Sequence, residues 1–191
     1  NVIEFSRHDE ITVRPVAISA TQKKNFQDHL LLVYTGLTRL SSEVSSQTIN
    51  ALADNKPVLR MMRSMVDKGA EILLGGRPIE EFGLLLHEAW KLKRGLSHGI
   101  STPRLDALYE VAIENGALGG KVLGAGGGGF MVFFVPPDRR KQVMASLAGK
   151  LVVPFQFENE GASLIYTRDE ESQTIATEKI SLKAGLLPLE M

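Results

Sequence analysis

The chain has no cysteine, one tryptophan and no long apolar run, and each scarcity removes a class of protein. Without cysteine there is no disulfide framework, no thiolate metal site and no cysteine nucleophile. That usage suits the cytoplasm, which is the expected location. The longest purely apolar stretch, FMVFFV at 130–135, falls far short of the roughly 20 residues a membrane-spanning helix needs, so no membrane partner is expected. Neither sign of charge is in excess. With 22 Lys and Arg against 22 Asp and Glu, there is no electrostatic footprint for nucleic acid. The N-terminus lacks the basic stretch and apolar core of a signal peptide. It starts at Asn1 rather than Met, as expected of a fragment or a processed product.

What is present is an ordinary globular composition, 43% apolar and 23% charged over 191 residues, enough for one large domain or two small ones. VIEF and ITVRPVAI alternate partially around the polar turn SRHDE and read as two strands. A polar segment, SATQKKNFQDH, leads into LLLVYTG, whose continuous apolar run suits a strand buried on both faces. The period then changes. Ser41 is placed to cap a helix carrying Val44, Ile49 and Leu52, with Glu43 in its dipole-favoured first turn. Asn55 and Pro57 open a second helix through Leu59, Met62, Met65, Val66 and Ile72. Pro78 opens a third, with Phe82, Leu85, Leu86, Ala89 and Lys93 on one stripe that ends at Gly95. In GISTPRLDALYEVAIENGALGG, Ser101 or Thr102 can cap a helix, Pro103 sits in its first turn and Gly116 stands at its C-terminal cap. FMVFFV then reads as a strand and PPDRRKQVMASLAG as a helix with Val143 and Leu147 inward. LVVPFQF and ASLIYT read as closing strands, and the tail from Arg168 shows no clear period. Strands at both ends with helices between them predict an α+β fold, a mostly antiparallel sheet with helices on one face.

One stretch stands apart. KVLGAGGGGF, residues 121–130, places five glycines among the six positions Gly124 to Gly129. Glycine loses the most conformational entropy on folding, so such a run persists where φ must be positive or where something approaches the backbone closely. The loop is expected to join the end of a helix near Asn115 to the strand FMVFFV. Gly124, Gly126 and Gly129 satisfy G-x-G-x-x-G, but that fingerprint needs strand, loop and helix in that order, so that a pyrophosphate meets the helix N-terminus. Here the order is reversed. No glycine stands before a Lys-Ser or Lys-Thr pair, which excludes a P-loop. A flexible linker would have polar neighbours, whereas this loop lies between KVL and FMVFFV.

Other constellations fall away quickly. HEAWK at 87–91 begins like H-E-x-x-H, but Lys91 occupies the second histidine's place, and His8, His29, His87 and His98 lack ligand spacing. No metal site is expected in this chain. There is no G-x-S-x-G elbow. Residue by residue, the sequence gives an α+β domain with a backbone-rich loop suited to a close-approaching ligand or chain segment.

The longer string says more. GISTPRLDALYEVAIENGALGGKVLGAGGGGFMVFFV resembles the third motif of the GHMP kinases, the family of galactokinase, homoserine kinase and mevalonate kinase. The capped helix, the GALGGK run-in, the GAGGGG loop and the apolar strand match in order and spacing. LLLVYTGLTRLSSEV at 30–44 is similar to the start of the C-terminal domain in the branch that phosphorylates heptose 7-phosphate and related sugars, including fucose. NVIEFSRHDEITVRPV is similar to the strands that close the N-terminal domain there.

The resemblance implies a ferredoxin-like C-terminal domain over residues 21–168, preceded by closing strands of the N-terminal domain at 1–20 and followed by a tail at 169–191. It implies ATP with Mg2+ as cofactor, a sugar or sugar phosphate as substrate, and transfer of the γ-phosphoryl group to a sugar hydroxyl, the anomeric one of a heptose 7-phosphate-like substrate. The family's phosphate-binding motif, of the type P-x-x-x-G-L-G-S-S-A, and its catalytic aspartate lie in the N-terminal half. Neither is present here, so no catalytic residue is expected in this chain, and the N-terminal half of the same kinase is the expected partner. By this analogy Gly124, Ala125, Gly126, Gly127, Gly128 and Gly129 line the nucleotide and substrate cleft. Thr35, Gly36, Arg39 and Lys121 are candidate substrate contacts. Arg39 either grips a sugar phosphate bidentately or pairs with Glu43, and Lys121 is either a contact or a surface lysine. A non-catalytic module or split subunit that kept the fold is the alternative.

Overall fold

Residues 1–39 and 41–158 are described in the computed structural model of this chain, and they open with a hairpin. β1 (Val2–Phe5) pairs antiparallel with β2 (Ile11–Arg14), setting Ile3 opposite Val13 and Phe5 opposite Ile11. Because side chains alternate across a strand, these four apolar residues share one face. All four are more than half exposed. The other face carries an ion pair between Glu4 and Arg14.

The polar segment SATQKKNFQDH contains a helix, α1 (Ala20–Asp28). Its only large apolar residue is Phe26, so it has almost no hydrophobic period to announce it. It is started instead by a reciprocal cap. The Gln22 amide donates to Ser19 Oγ at 3.2 Å and the Ser19 amide donates to Gln22 Oε1 at 2.9 Å, using two donors that a helix start leaves unpaired.

β3 (Leu30–Tyr34) follows, then α2 (Ser41–Asn50), α3 (Lys56–Leu73), α4 (Glu80–Arg94) and α5 (Pro103–Glu114). These boundaries agree with the sequence reading to within a few residues. Of the two candidate caps of α5 it is Thr102 that acts, accepting from the Leu105 amide at 3.3 Å. Asn55 flanks α3 but makes no cap bond; its amide group reaches the carbonyls of Ala51 and Leu96 and so ties the α2–α3 turn to the end of α4. β4 (Gly119–Val122), β5 (Phe130–Phe134), α6 (Arg140–Ser146) and β6 (Leu151–Val153) complete the described elements. ASLIYT and the tail from Arg168 lie outside the described residues.

The sheet order is β4–β5–β3–β6, every neighbouring pair antiparallel. Counted along the chain that is second, third, first, fourth, the ferredoxin-like order, with four helices inserted between the first two strands. Leu31, Val33, Val122, Met131 and Phe133 share one sheet face. They pack with Trp90, Leu105, Tyr109, Ala112 and Val143 from the helices to form the main core. On the opposite face Phe134 meets Phe26 of α1 and Phe82 of α4, with the latter two rings edge-to-face at 4.8 Å. Burying each such ring contributes about 2–3 kcal/mol.

A glycine contact fixes α4 against β4. A Cβ on Gly119 would stand 2.1 Å from the Gly83 carbonyl oxygen, and one on Gly83 would stand 2.7 Å from Phe134. Helix backbone and strand therefore touch with no side chain between them, which holds α4 in one position over the strand that leads into the glycine loop.

Candidate functional site

The glycine loop connects two strands. The expectation that it follows directly on a helix is corrected by β4, which intervenes between α5 and the loop and pairs Lys121 with Val132 and Val122 with Met131. Two of its four residues are glycine, which carries no strand signal. The other part of the expectation holds: Gly124, Gly126, Gly127 and Gly129 have φ of +73°, +119°, +77° and +79°.

The loop is held by backbone on both sides. Gly127 donates to the Ile100 carbonyl at 2.9 Å and Gly129 donates to the Leu37 carbonyl at 2.7 Å. Gly128 is glycine for want of room: a Cβ there would lie 2.5 Å from the Leu37 oxygen. The loop is thus wedged between the segment after β3 and the turn before α5. The amides of Ala125, Gly126 and Gly128 meanwhile take no protein acceptor among the described residues. Successive amides in such a left-handed run form a concave, electropositive backbone suited to anionic oxygens.

Each residue singled out in the sequence falls beside this loop. Thr35 is buried, and its hydroxyl donates to the Gly129 carbonyl at 2.8 Å and accepts from the Leu37 amide at 3.2 Å. It positions the loop's exit. Gly36 turns the chain at φ +74° with open space beside it. Arg39 is exposed, and its Cδ would lie 2.9 Å from a Cβ on Gly127, so its stem lies along the loop. Among the described residues it makes no ion pair with Glu43. Lys121 is half-buried on β4, three positions before Gly124.

Sequence reasoning missed Lys93. It sits in the last turn of α4 and donates from Nζ to the Gly124 carbonyl at 2.7 Å, across 31 positions of chain. Burial, with the Lys121 charge as a smaller cause, lowers its pKa to about 8. The sequence places Lys93 only at the end of the stripe Phe82, Leu85, Leu86, Ala89 and Lys93, and nothing in that local pattern marks it as reaching a distant loop. In the core, Tyr109 shares a 2.8 Å hydrogen bond with His87 Nδ1. Burial pushes the phenol up to about 12, against the opposing Arg94 charge. In HEAWK it is His87 that makes this bond.

Amides without an acceptor among the described residues and the Lys93 ammonium thus lie along the loop. Among the described residues no three His, Asp or Glu converge to hold a metal ion. A groove of about 330 Å3 lies elsewhere, lined by Val2, Ile3, Met65, Phe82 and Leu86 between the hairpin and helices α3 and α4. It is almost wholly apolar and has no chemistry to offer a phosphate.

Comparison with known proteins agrees with this geometry. Residues 70–152 match the family model described as GHMP kinases C terminal. The chain is 31% identical over 168 residues to a D-glycero-alpha-D-manno-heptose 7-phosphate kinase of Campylobacter jejuni, covering 84% of this chain and 48% of that protein. It is 33% identical over 117 residues to a mevalonate kinase of Pyrococcus abyssi, covering 60% of this chain and 35% of that one. The solved structure of a D-glycero-D-manno-heptose 1-phosphate kinase from Bacteroides thetaiotaomicron superposes with a TM-score of 0.53 at 25% identity, over 86% of this chain and 45% of that one. The chain therefore spans about half the length of the heptose kinases it matches and about a third of the mevalonate kinase.

Proposed function

Since the chain carries the C-terminal domain of the GHMP kinases, we propose that it forms one wall of the cleft of an ATP-dependent sugar or sugar-phosphate kinase. The observation that carries this is the glycine loop, wedged by neighbouring backbone, with amides that lack an acceptor among the described residues and with Arg39 and Lys93 against it. Phosphoryl transfer draws most of its catalysis from positioning and charge stabilisation. A loop without side chains lets a second wall and a polyphosphate come close. ATP supplies the transferred group, and this chain's residues orient oxygens and screen their charge. The acceptor in this reading is the anomeric hydroxyl of a heptose 7-phosphate-like sugar, and Arg39, exposed and without a carboxylate partner among the described residues, would grip its phosphate.

The exposed apolar face of the β1–β2 hairpin supports a further part of the reading, that residues 1–20 belong to a sheet supplied by an N-terminal half. A lone hairpin is marginally stable and such a face needs a cover. In this account the chain by itself turns over no sugar, because half a cleft neither excludes water nor orients a γ-phosphoryl group.

The test is ADP release from ATP with a panel of sugars and sugar phosphates, by the full chain with and without an N-terminal half joined to it. Turnover is expected only in the joined protein. There Arg39→Lys should raise the KM for a phosphorylated sugar several-fold and leave the KM for ATP nearly unchanged, since the bidentate fork is lost. Turnover by the isolated chain would contradict the reading. A folded, joined protein with no turnover would favour a non-catalytic module that kept the fold.

A further inference from the structure

Asn115 is followed by glycine, and no other asparagine in the chain is. Asparagine before glycine is chemically labile, because a glycine nitrogen meets the side-chain carbonyl with no Cβ of its own in the way. The fold itself calls for this pair. Gly116 takes φ +109° in the turn that leaves α5, and a Cβ on it would stand 3.2 Å from Arg139 Cβ. Asn115 is the C-cap of α5, and its Nδ2 donates to the Val111 carbonyl at 2.8 Å.

The same turn holds the reacting atoms apart. Ring closure needs Asn115 Cβ and the Gly116 nitrogen eclipsed about the bond from Cα to the carbonyl carbon. With ψ of Asn115 at 8°, tetrahedral geometry sets them roughly a third of a turn apart. The Gly116 N–H, whose proton must leave, donates to the Ile113 carbonyl at 3.0 Å. The side-chain amino group that must depart is held on Val111. These restraints are lost together when the last turn of α5 opens.

We infer that Asn115 is a modification site gated by the fold, inert while the end of α5 is closed and converted to aspartate or isoaspartate when it opens. In the open state the Gly116 nitrogen loses its proton to water and bonds to Asn115 Cγ, the Cγ–Nδ2 bond breaks, and ammonia leaves. Water then adds to either carbonyl of the succinimide and opens the ring. For the fold the change is one-way. An aspartate at 115 has no donor for the Val111 carbonyl and sets a negative charge at the negative end of a helix. Isoaspartate also lengthens the main chain by a methylene. It does so in a turn where Ala117 donates to the Ala112 carbonyl at 3.0 Å and Leu118 to that of Phe134 at 2.8 Å. That turn leads into β4, so the modified chain holds its glycine loop less firmly.

The test is mass spectrometry of the tryptic peptide 105–121 after the full chain is incubated at mildly alkaline pH, in buffer and in concentrated guanidinium chloride. In guanidinium Asn115 should convert well ahead of Asn25, Asn50 and Asn55, which precede Phe, Ala and Lys. There Gly116→Val should slow the conversion at least about tenfold, since a β-branched side chain crowds the attack. In buffer, conversion should slow by the same factor as hydrogen exchange of the Gly116 amide, within about threefold, because one opening releases both. On return to buffer, converted chains should be depleted several-fold in the folded fraction. Conversion of the folded chain at the unfolded rate, or faster than that amide's exchange allows, overturns the gate. An intact Asn115 in guanidinium overturns the site, and equal refolding of converted and unconverted chains overturns its one-way character. None of these outcomes depends on the kinase reading.

Discussion

Gly127 shows most directly why the loop has the composition it has. Its φ is +77°, and a Cβ there would meet Arg39 Cδ at 2.9 Å and the Gly99 oxygen at 3.2 Å. A β-branched residue resists that angle and also lacks the room. Gly127→Val should therefore lower stability by more than about 1 kcal/mol, as urea unfolding would show. Unchanged stability would mean the loop tolerates side chains and has no tight seat. Lys93 makes a different prediction, and its sign follows from linkage. Its pKa is lowered from 10.5 to about 8 in the folded chain, so between those values the unfolded chain holds the extra proton. Stability contributed at this site must then rise with pH across that window. Relative to Lys93→Met, the parent should gain on the order of 1 kcal/mol between pH 8 and pH 10, a figure kept small because the ammonium retains contact with solvent. Parallel stability curves for the two proteins would contradict the assignment. Neither effect of Lys93 was legible in the sequence, since a contact spanning 31 positions leaves no local pattern.

At the scale of elements, the legible parts were those with a strong period or good punctuation. α5 has Thr102, Pro103 and Gly116 at its ends and Leu105, Leu108 and Ala112 buried along one side. Its limits follow from those residues. α1 and β4 were not legible by period, for opposite reasons. α1 has almost no apolar stripe and depends on its cap, a signal present in the string S-x-x-Q but short. β4 is a strand made of Gly119, Gly120, Lys121 and Val122, chosen for closeness to α4 and not for strand preference. Ser19→Ala removes the side-chain half of the α1 cap and should cost about 1 kcal/mol in urea unfolding, with loss of helical signal confined to residues 20–28. The size matters for the site's surroundings, because α1 brings Phe26 to Phe82 and Phe134. A silent Ser19→Ala would show that those rings hold α1 without the cap.

For the molecule as a whole, the α+β class and the antiparallel sheet follow from the alternation of patterns along the chain. The ferredoxin-like order does not, because strand order depends on long-range pairing such as Leu30 with Phe134. The loop was legible as a place of close approach, and what approaches it from within is the protein's own backbone at Leu37 and Ile100. The amides of Ala125, Gly126 and Gly128 are left without a protein acceptor among the described residues, and the apolar face of the hairpin is left exposed. In the proposed reading, both are completed by an N-terminal half. Hydrogen exchange of residues 123–129, in the joined protein with and without ATP and a phosphorylated sugar, tests this most directly. The amides of Ala125, Gly126 and Gly128 should slow by at least about tenfold when both ligands are present, and the hairpin should slow on joining alone. Equal exchange at those three amides with and without ligands, in a protein that turns over, would contradict it.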